Sequence, residues 1–285
     1  MAQDDSPRRE DTYIFPNSDT ENSRLDFQHE LFNKTFGGLH RAALNATNLH
    51  KVLDIGCGTG NWASDFALQY PNASVSALDI EEKPGRRSSP SNYTFQIADL
   101  HSPEDWSKLG KFDYIHARFI AVSVRNWPDL LQQCFNHLNP GGYIEFQDLH
   151  FPFQITPPSD ATSSKVVEWS NLMIEASSIL GLDTELMAKF PSYLEKEGFV
   201  EFRTEDFKMY TGPWMEDEKL HELGRMGQKN LITGFPGFSR ILFPKVLEWS
   251  MERYDAFMEE TLNEMRTMKF KTWLPMKVSV ARKAE

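Results

Sequence analysis

At 285 residues the chain is long enough for one large domain, or for one domain carrying a substantial insertion. It is 40% hydrophobic and 13% aromatic, and 41 acidic against 30 basic side chains leave a net charge of −11, which argues against a surface built to neutralise nucleic-acid phosphates or anionic lipid. Cys57 and Cys134 make neither a disulfide framework nor a four-ligand zinc site, and no run of about 18 apolar residues is present to span a bilayer.

Met1 to Arg9 is polar and charged, without the apolar core of a signal peptide. These features predict a soluble cytoplasmic protein with neither nucleic acid nor membrane as partner; they do not separate cytoplasm from nucleus. Residues 1–20 read as a disordered or loosely docked lead-in, interrupted by the apolar Tyr13-Ile14-Phe15-Pro16. Residues 21–285 read as a single domain. Its first part, 21–48, is a helical cover, with Leu25, His29, Phe32, Phe36 and Leu39 at helical spacings from Glu21 to about Leu44 and a break or bend at Gly37-Gly38.

Strands and helices then alternate through a core at 49–150. Strands are expected at Lys51–Ile55, Ala73–Ile80, Thr94–Ile97, Phe112–His116 and Tyr143–Gln147, with helices at Asn61–Tyr70 and Pro128–Leu138 and a turn at Asn139–Gly142. This alternation predicts an α/β fold, a Rossmann-like and mostly parallel sheet with helices on both faces. In the last part, 151–285, helices are expected at 160–180, 185–197, 216–231 and 244–268, around strands at Phe199–Met209 and Trp273–Arg282. They form a helical insertion near the last strands, on the substrate side.

The most informative segment is Val52-Leu53-Asp54-Ile55-Gly56-Cys57-Gly58-Thr59-Gly60-Asn61-Trp62. An apolar strand runs into glycines at alternate positions, and a helix starts directly after them. Such a turn lets backbone approach a ligand closely while the helix N-terminus offers free N–H groups. The dinucleotide fingerprint would need a glycine at position 61, where Asn61 stands, and no Gly-Lys-Ser/Thr of a phosphate loop follows. Asp79 ends the second strand, followed by Ile80, and Asp99-Leu100 follows the third. A carboxylate at Asp79 suits two ribose hydroxyls, and one at Asp99 suits an adenine amino group. With Asp54 they are expected to face one crevice at the C-terminal edge of the sheet, a site for a nucleoside with a cationic tail.

Here the chain resembles the class I S-adenosylmethionine-dependent methyltransferases over residues 50–150. It resembles the fungal LaeA-like and UMTA-like group further, in Tyr13-x-x-Pro16-Asn17, Glu21-x-x-Arg24-Leu25-x-x-Gln28-His29, Phe112-Asp113-x-Ile115-His116-x-Arg118, Asn126-Trp127 and Leu138-Asn139-Pro140-Gly141-Gly142-Tyr143-x-Glu145. The resemblance implies S-adenosyl-L-methionine as cofactor, bound by Asp54, Gly56, Gly58, Gly60, Asp79, Ile80, Asp99 and Leu100, and covered by Tyr13, Arg24, Gln28 and His29. It implies methyl transfer to a small molecule, by its association a secondary metabolite. Two rival readings of the same residues are a LaeA-like regulator acting through protein partners and an enzyme of this fold that catalyses a rearrangement or cyclisation.

His116 ends the fourth strand beside the expected methyl position, and is read either as a general base or as a histidine packed against the cofactor. The plant-type His-Asp-Trp base does not transfer, because Val124-Arg125-Asn126-Trp127 stands at the similar place and arginine is no base. Glu145, Asp148 and His150 read as a solvated strand end, not as metal ligands. Aromatic and Met residues after 150, among them Phe151, Phe153, Trp169, Met173, Phe235 and Phe238, either wall an apolar acceptor pocket or pack the core. The segment 210–240 is the expected place of contact with a hydrophobic acceptor.

Overall fold

The computed structural model describes residues 18–82, 90–157, 163–184 and 186–285. Helix α1 (Asp19–Phe36) starts on Ser18, whose hydroxyl accepts from the Glu21 N–H, and stops at Gly37, which is left-handed (φ +75°) and donates back to the Asn33 carbonyl. The cover was expected to stay helical to about Leu44. The left-handed cap ends it at Phe36, and residues 38–50 cross the molecule without a helix, burying Leu39, Ala42 and Leu49.

Strand β1 (Lys51–Ile55), helix α2 (Asn61–Gln69), β2 (Ser74–Asp79), β3 (Tyr93–Ile97), the short α3 (Pro103–Ser107), β4 (Phe112–Arg118), α4 (Trp127–His137) and β5 (Leu138–Leu149) build the first half. Then come β6 (Gln154–Ile155), α5 (Lys165–Ile179), α6 (Leu186–Lys196), β7 (Phe199–Tyr210), α7 (Glu218–Ser239), α8 (Leu242–Val246), α9 (Met251–Thr267) and β8 (Thr272–Lys283). The sheet order is β3-β2-β1-β4-β5-β8-β6, with β7 on β8. Strands β1 to β5 pair in parallel, and β8 runs antiparallel to β5, β6 and β7. The expected Rossmann-like, mostly parallel sheet is therefore present.

Side-chain alternation splits this sheet into two apolar faces. Leu53, Ile55, Ile115, Ala117, Ile144 and Phe146 point to one face, packing with Leu131 and Cys134 of α4 and Phe190 and Leu194 of α6. Val52, Val75, Ala77 and Tyr114 point to the other, under Trp62 and Phe66 of α2 and Phe32 and Phe36 of α1. Each fully buried Val, Leu, Ile or Phe side chain among these contributes roughly 1.5–3 kcal/mol.

Two further boundaries differ from the pattern. Asn139–Gly142, expected as a turn, is a bulge within β5, where the pairing with β4 slips between Phe112 and Tyr114. Gly142 is required there, since a Cβ would stand 2.9 Å from the Asn139 carbonyl oxygen and 3.1 Å from that of Asp113. The long helix expected over 244–268 is two: α8 ends at Val246, and Ser250 caps a new start for α9 by accepting from the Arg253 N–H. Among the described residues no helix is long and apolar enough to cross a membrane.

Candidate active site

The glycine loop leaves β1 with its backbone folded tightly. Gly56, Gly58 and Gly60 have φ of +65°, +59° and +72°, conformations that L side chains rarely adopt. The Cys57 N–H donates to the Leu78 carbonyl at the end of β2, and the Gly60 N–H returns to the Cys57 carbonyl. Asp79 closes the loop from the side: its Oδ2 accepts the Gly58 N–H at 2.7 Å and its Oδ1 accepts the Ile80 N–H at 2.8 Å.

Above this loop lies a cavity of about 500 Å³ at the C-terminal edge of the parallel strands, roofed by α1. Gly56, Gly58, Asp79, Ile80, Asp99 and Leu100 line it, and Arg24 and Gln28 come down from α1. With His29 of the same helix, nine of the expected cofactor residues thus share one space. Asp99 is held in place by the loop it starts: its Oδ1 accepts the His101 N–H at 2.9 Å and lies 3.2 Å from His101 Nδ1. Arg24 is clamped by Glu21, with Nε–Oε2 at 2.9 Å and Nη2–Oε1 at 2.7 Å, and donates to Asn230 Oδ1 of α7 at 3.0 Å.

Three expected positions stand apart, and a fourth, Tyr13, lies outside the described residues. Asp54 is buried below the loop, because strand alternation turns it onto the α2 face. Gly60 caps α2 and faces Tyr93, whose hydroxyl would stand 2.6 Å from an added Cβ. Neither lines the cavity.

His116 likewise has no surface exposed and no place on the cavity wall. Its ring lies on Trp62 with centroids 3.6 Å apart and planes 4° from parallel, and Nδ1 sits 2.8 Å from Asp54 Oδ1. Burial holds the imidazole well below its usual pKa and pushes Asp54 up to about 7, with Arg118 and His29 pulling the carboxyl back. A base must reach the proton it takes. The sealed ring of His116 does not, so we assign it no proton from an acceptor.

Glu145 and Asp148 point to opposite faces, as the alternation of β5 requires, but both are buried and not solvated. Glu145 accepts from the Arg41 and Ala42 N–H groups, the Tyr114 hydroxyl and Gln147 Nε2, and so fixes the segment after α1 to the sheet. Asp148 accepts the Ile120 and Ala121 N–H groups at Oδ2 and that of Leu149 at Oδ1, and burial raises its pKa to about 7.

Of the wall residues, His29, Arg118 and Phe238 were named from sequence, whereas Asn61, Phe119, Val122 and Leu182 were not singled out. His29 of α1 bridges Asp65 of α2 at 2.9 Å and Arg118 of β4 at 2.6 Å, and burial lowers the Arg118 pKa to about 10. Asn61, the first residue of α2, lines the cavity with its Oδ1 buried and without a donor among the described residues. Phe119, Val122, Leu182 and Phe238 separate the main cavity from a second, apolar chamber. Alternation along β4 marks Phe119 only as one more apolar residue after the strand, so no local pattern reveals its position.

A family model described as a methyltransferase domain matches residues 27–175. Methyltransferase pytC of Aspergillus terreus is 30% identical, over 85% of this chain and 74% of its own. Probable methyltransferase tdiE of Emericella nidulans is 32% identical, over 86% and 78%. Secondary metabolism regulator laeA of Aspergillus fumigatus is 27% identical, over 96% and 74%.

Proposed function

Since the chain belongs to the methyltransferase-domain family, we propose that it transfers a methyl group from S-adenosylmethionine to a small molecule, by its relatives a secondary metabolite. The observation that carries this reading is the pairing of a cavity of about 500 Å³, lined by the glycine loop and two strand-end carboxylates, with an apolar chamber on the other side of Phe119 and Phe238, which gives a donor and an acceptor adjoining spaces.

The donor set fits the cofactor. Gly58 has open space where a Cβ would stand, so backbone can meet a ligand there. Asp79 and Asp99 offer carboxylate oxygens to ribose hydroxyls and an adenine amine, with Ile80 and Leu100 as apolar walls for the base. Asn61 Oδ1, a buried acceptor without a partner among the described residues, suits an ammonium group. Arg24 supplies a cation at the roof for a carboxylate, and Gln28 a neutral donor.

Held by these residues, S-adenosylmethionine would supply an electrophilic methyl group to the acceptor's nucleophilic atom, whose proton would pass to solvent. The chain's own part is positioning and exclusion of water. Helix α1 closes the roof through the Glu21–Arg24–Asn230 and Asp65–His29–Arg118 arrays. No titratable side chain of the described lining stands free as a base beside the acceptor chamber, which favours acceptors whose nucleophilic atom loses its proton readily.

The laeA relative keeps a second reading open, a regulatory protein that acts through protein partners. One experiment tests the first against it. Metabolite extracts incubated with labelled S-adenosylmethionine and the protein should yield a labelled small molecule; label appearing only in protein, or nowhere, contradicts the proposal.

A further inference from the structure

Phe119 is the first residue beyond β4, and its φ of +59° places a bulky side chain in the left-handed region. Such a conformation costs about 1–3 kcal/mol and persists only where the surroundings impose it. They do here: the Phe119 N–H donates to the Gln147 carbonyl, and the next two N–H groups are held by Asp148 Oδ2. The consequence is that Phe119 stands between two chambers, 5.8 Å from Phe238 of α7 and 6.5 Å from Phe32 of α1 by ring centroids.

Beyond this pair lies the second chamber, about 30 Å³ as it stands. Its walls are Phe151, Phe153, Trp169, Met173, Leu231 and Phe235, together with shorter apolar neighbours and a buried Ser177. No charged side chain of the described residues lines it. The Trp169 indole N–H is already used by Ser239 Oγ at 3.0 Å, and the ring stacks on Phe235 at 3.8 Å. The chamber therefore offers ring faces and edges, with the Ser177 hydroxyl and the engaged Trp169 indole as the polar groups of its described lining, and a charge moved into it would lose its hydration uncompensated.

We propose that this chamber is the acceptor subsite for an uncharged aromatic ring, which enters between Phe119 and Phe238 and leaves its nucleophilic atom at the mouth, on the side of the main cavity. The proposal rests on the methyl-transfer reading only for what occupies the main cavity. Entry requires the Phe119–Phe238 pair to part, since the chamber is smaller than a ring. These two residues set which rings pass.

The test uses 2-naphthol as probe and 2-naphthoate as its charged counterpart, followed by ligand-observed NMR on the whole chain. We expect one 2-naphthol per chain, not displaced by S-adenosylhomocysteine, and at least tenfold weaker binding of 2-naphthoate. Met173→Ala, which touches only the small chamber, should tighten 2-naphthol at least threefold; Leu231→Ala serves the same purpose if that variant does not fold. Absence of binding, displacement by S-adenosylhomocysteine, equal affinity for the two probes, or indifference to the enlarging substitution each overturns the subsite. A separate titration with S-adenosylhomocysteine alone reports on the cofactor reading, so the two failures are distinguishable.

Discussion

Trp62 covers His116 so closely, ring on ring at 3.6 Å, that the histidine has no accessible atom. The motif residue that looks most like a base is in effect a core residue, tied to Asp54 at 2.8 Å. Its replacement should therefore show up in stability before chemistry. His116→Ala is expected to lower unfolding free energy by about 1–3 kcal/mol, through the lost stack and an Asp54 left without its partner. Urea titration measures that loss. Turnover of the labelled product should fall less than tenfold, whereas a true general base would cost roughly 10²–10⁴.

Gly58 combines a left-handed backbone with open space on its cavity side. Gly58→Ala should cost about 1–2 kcal/mol of stability and also weaken S-adenosylhomocysteine at least tenfold, because the new methyl stands where the ligand packs. Gly141, equally left-handed at φ +75° but in the β5 bulge, is the control. Gly141→Ala should cost similar stability and leave the affinity unchanged in calorimetry.

Burial raises Asp54 from 3.8 to about 7, so the folded chain holds this proton over a range where the unfolded chain has released it. Its contribution to stability is therefore full below about pH 4 and is lost as pH rises through about 7. Asp54→Asn removes the titration while its amide oxygen still accepts from His116. Between pH 5 and pH 8 the wild type should lose more stability than the variant, by on the order of 2 kcal/mol. Parallel pH dependences in urea unfolding would contradict this.

Much of the molecule is legible from the sequence, since β1, β2, α2, α4 and β7 follow from alternation or helical spacing and lie within a residue or so of their expected bounds. Gly56 and Gly58, Asp79 and Asp99 were readable as one site because strand ends of a parallel sheet converge by construction. What stayed hidden depends on which way a residue faces in three dimensions. Asp54 and His116 are neighbours across the β1–β4 ladder and both point under α2, although motif spacing alone puts them at the crevice. Glu145 and Asp148 look solvated, and their burial is visible only once the chains that donate to them, after α1 and after β4, are in place. Phe119 and Phe238 come from distant segments and meet only through packing.

Titration of the protein with S-adenosylhomocysteine, alongside Asp79→Ala, tests the cofactor cavity most directly. The wild type is expected to bind one equivalent in the micromolar range, about −8 kcal/mol, and the variant to bind about 1–3 kcal/mol more weakly, as the carboxylate that also braces Gly58 is removed. No heat of binding from the wild type, or the same affinity in both proteins, would contradict the account.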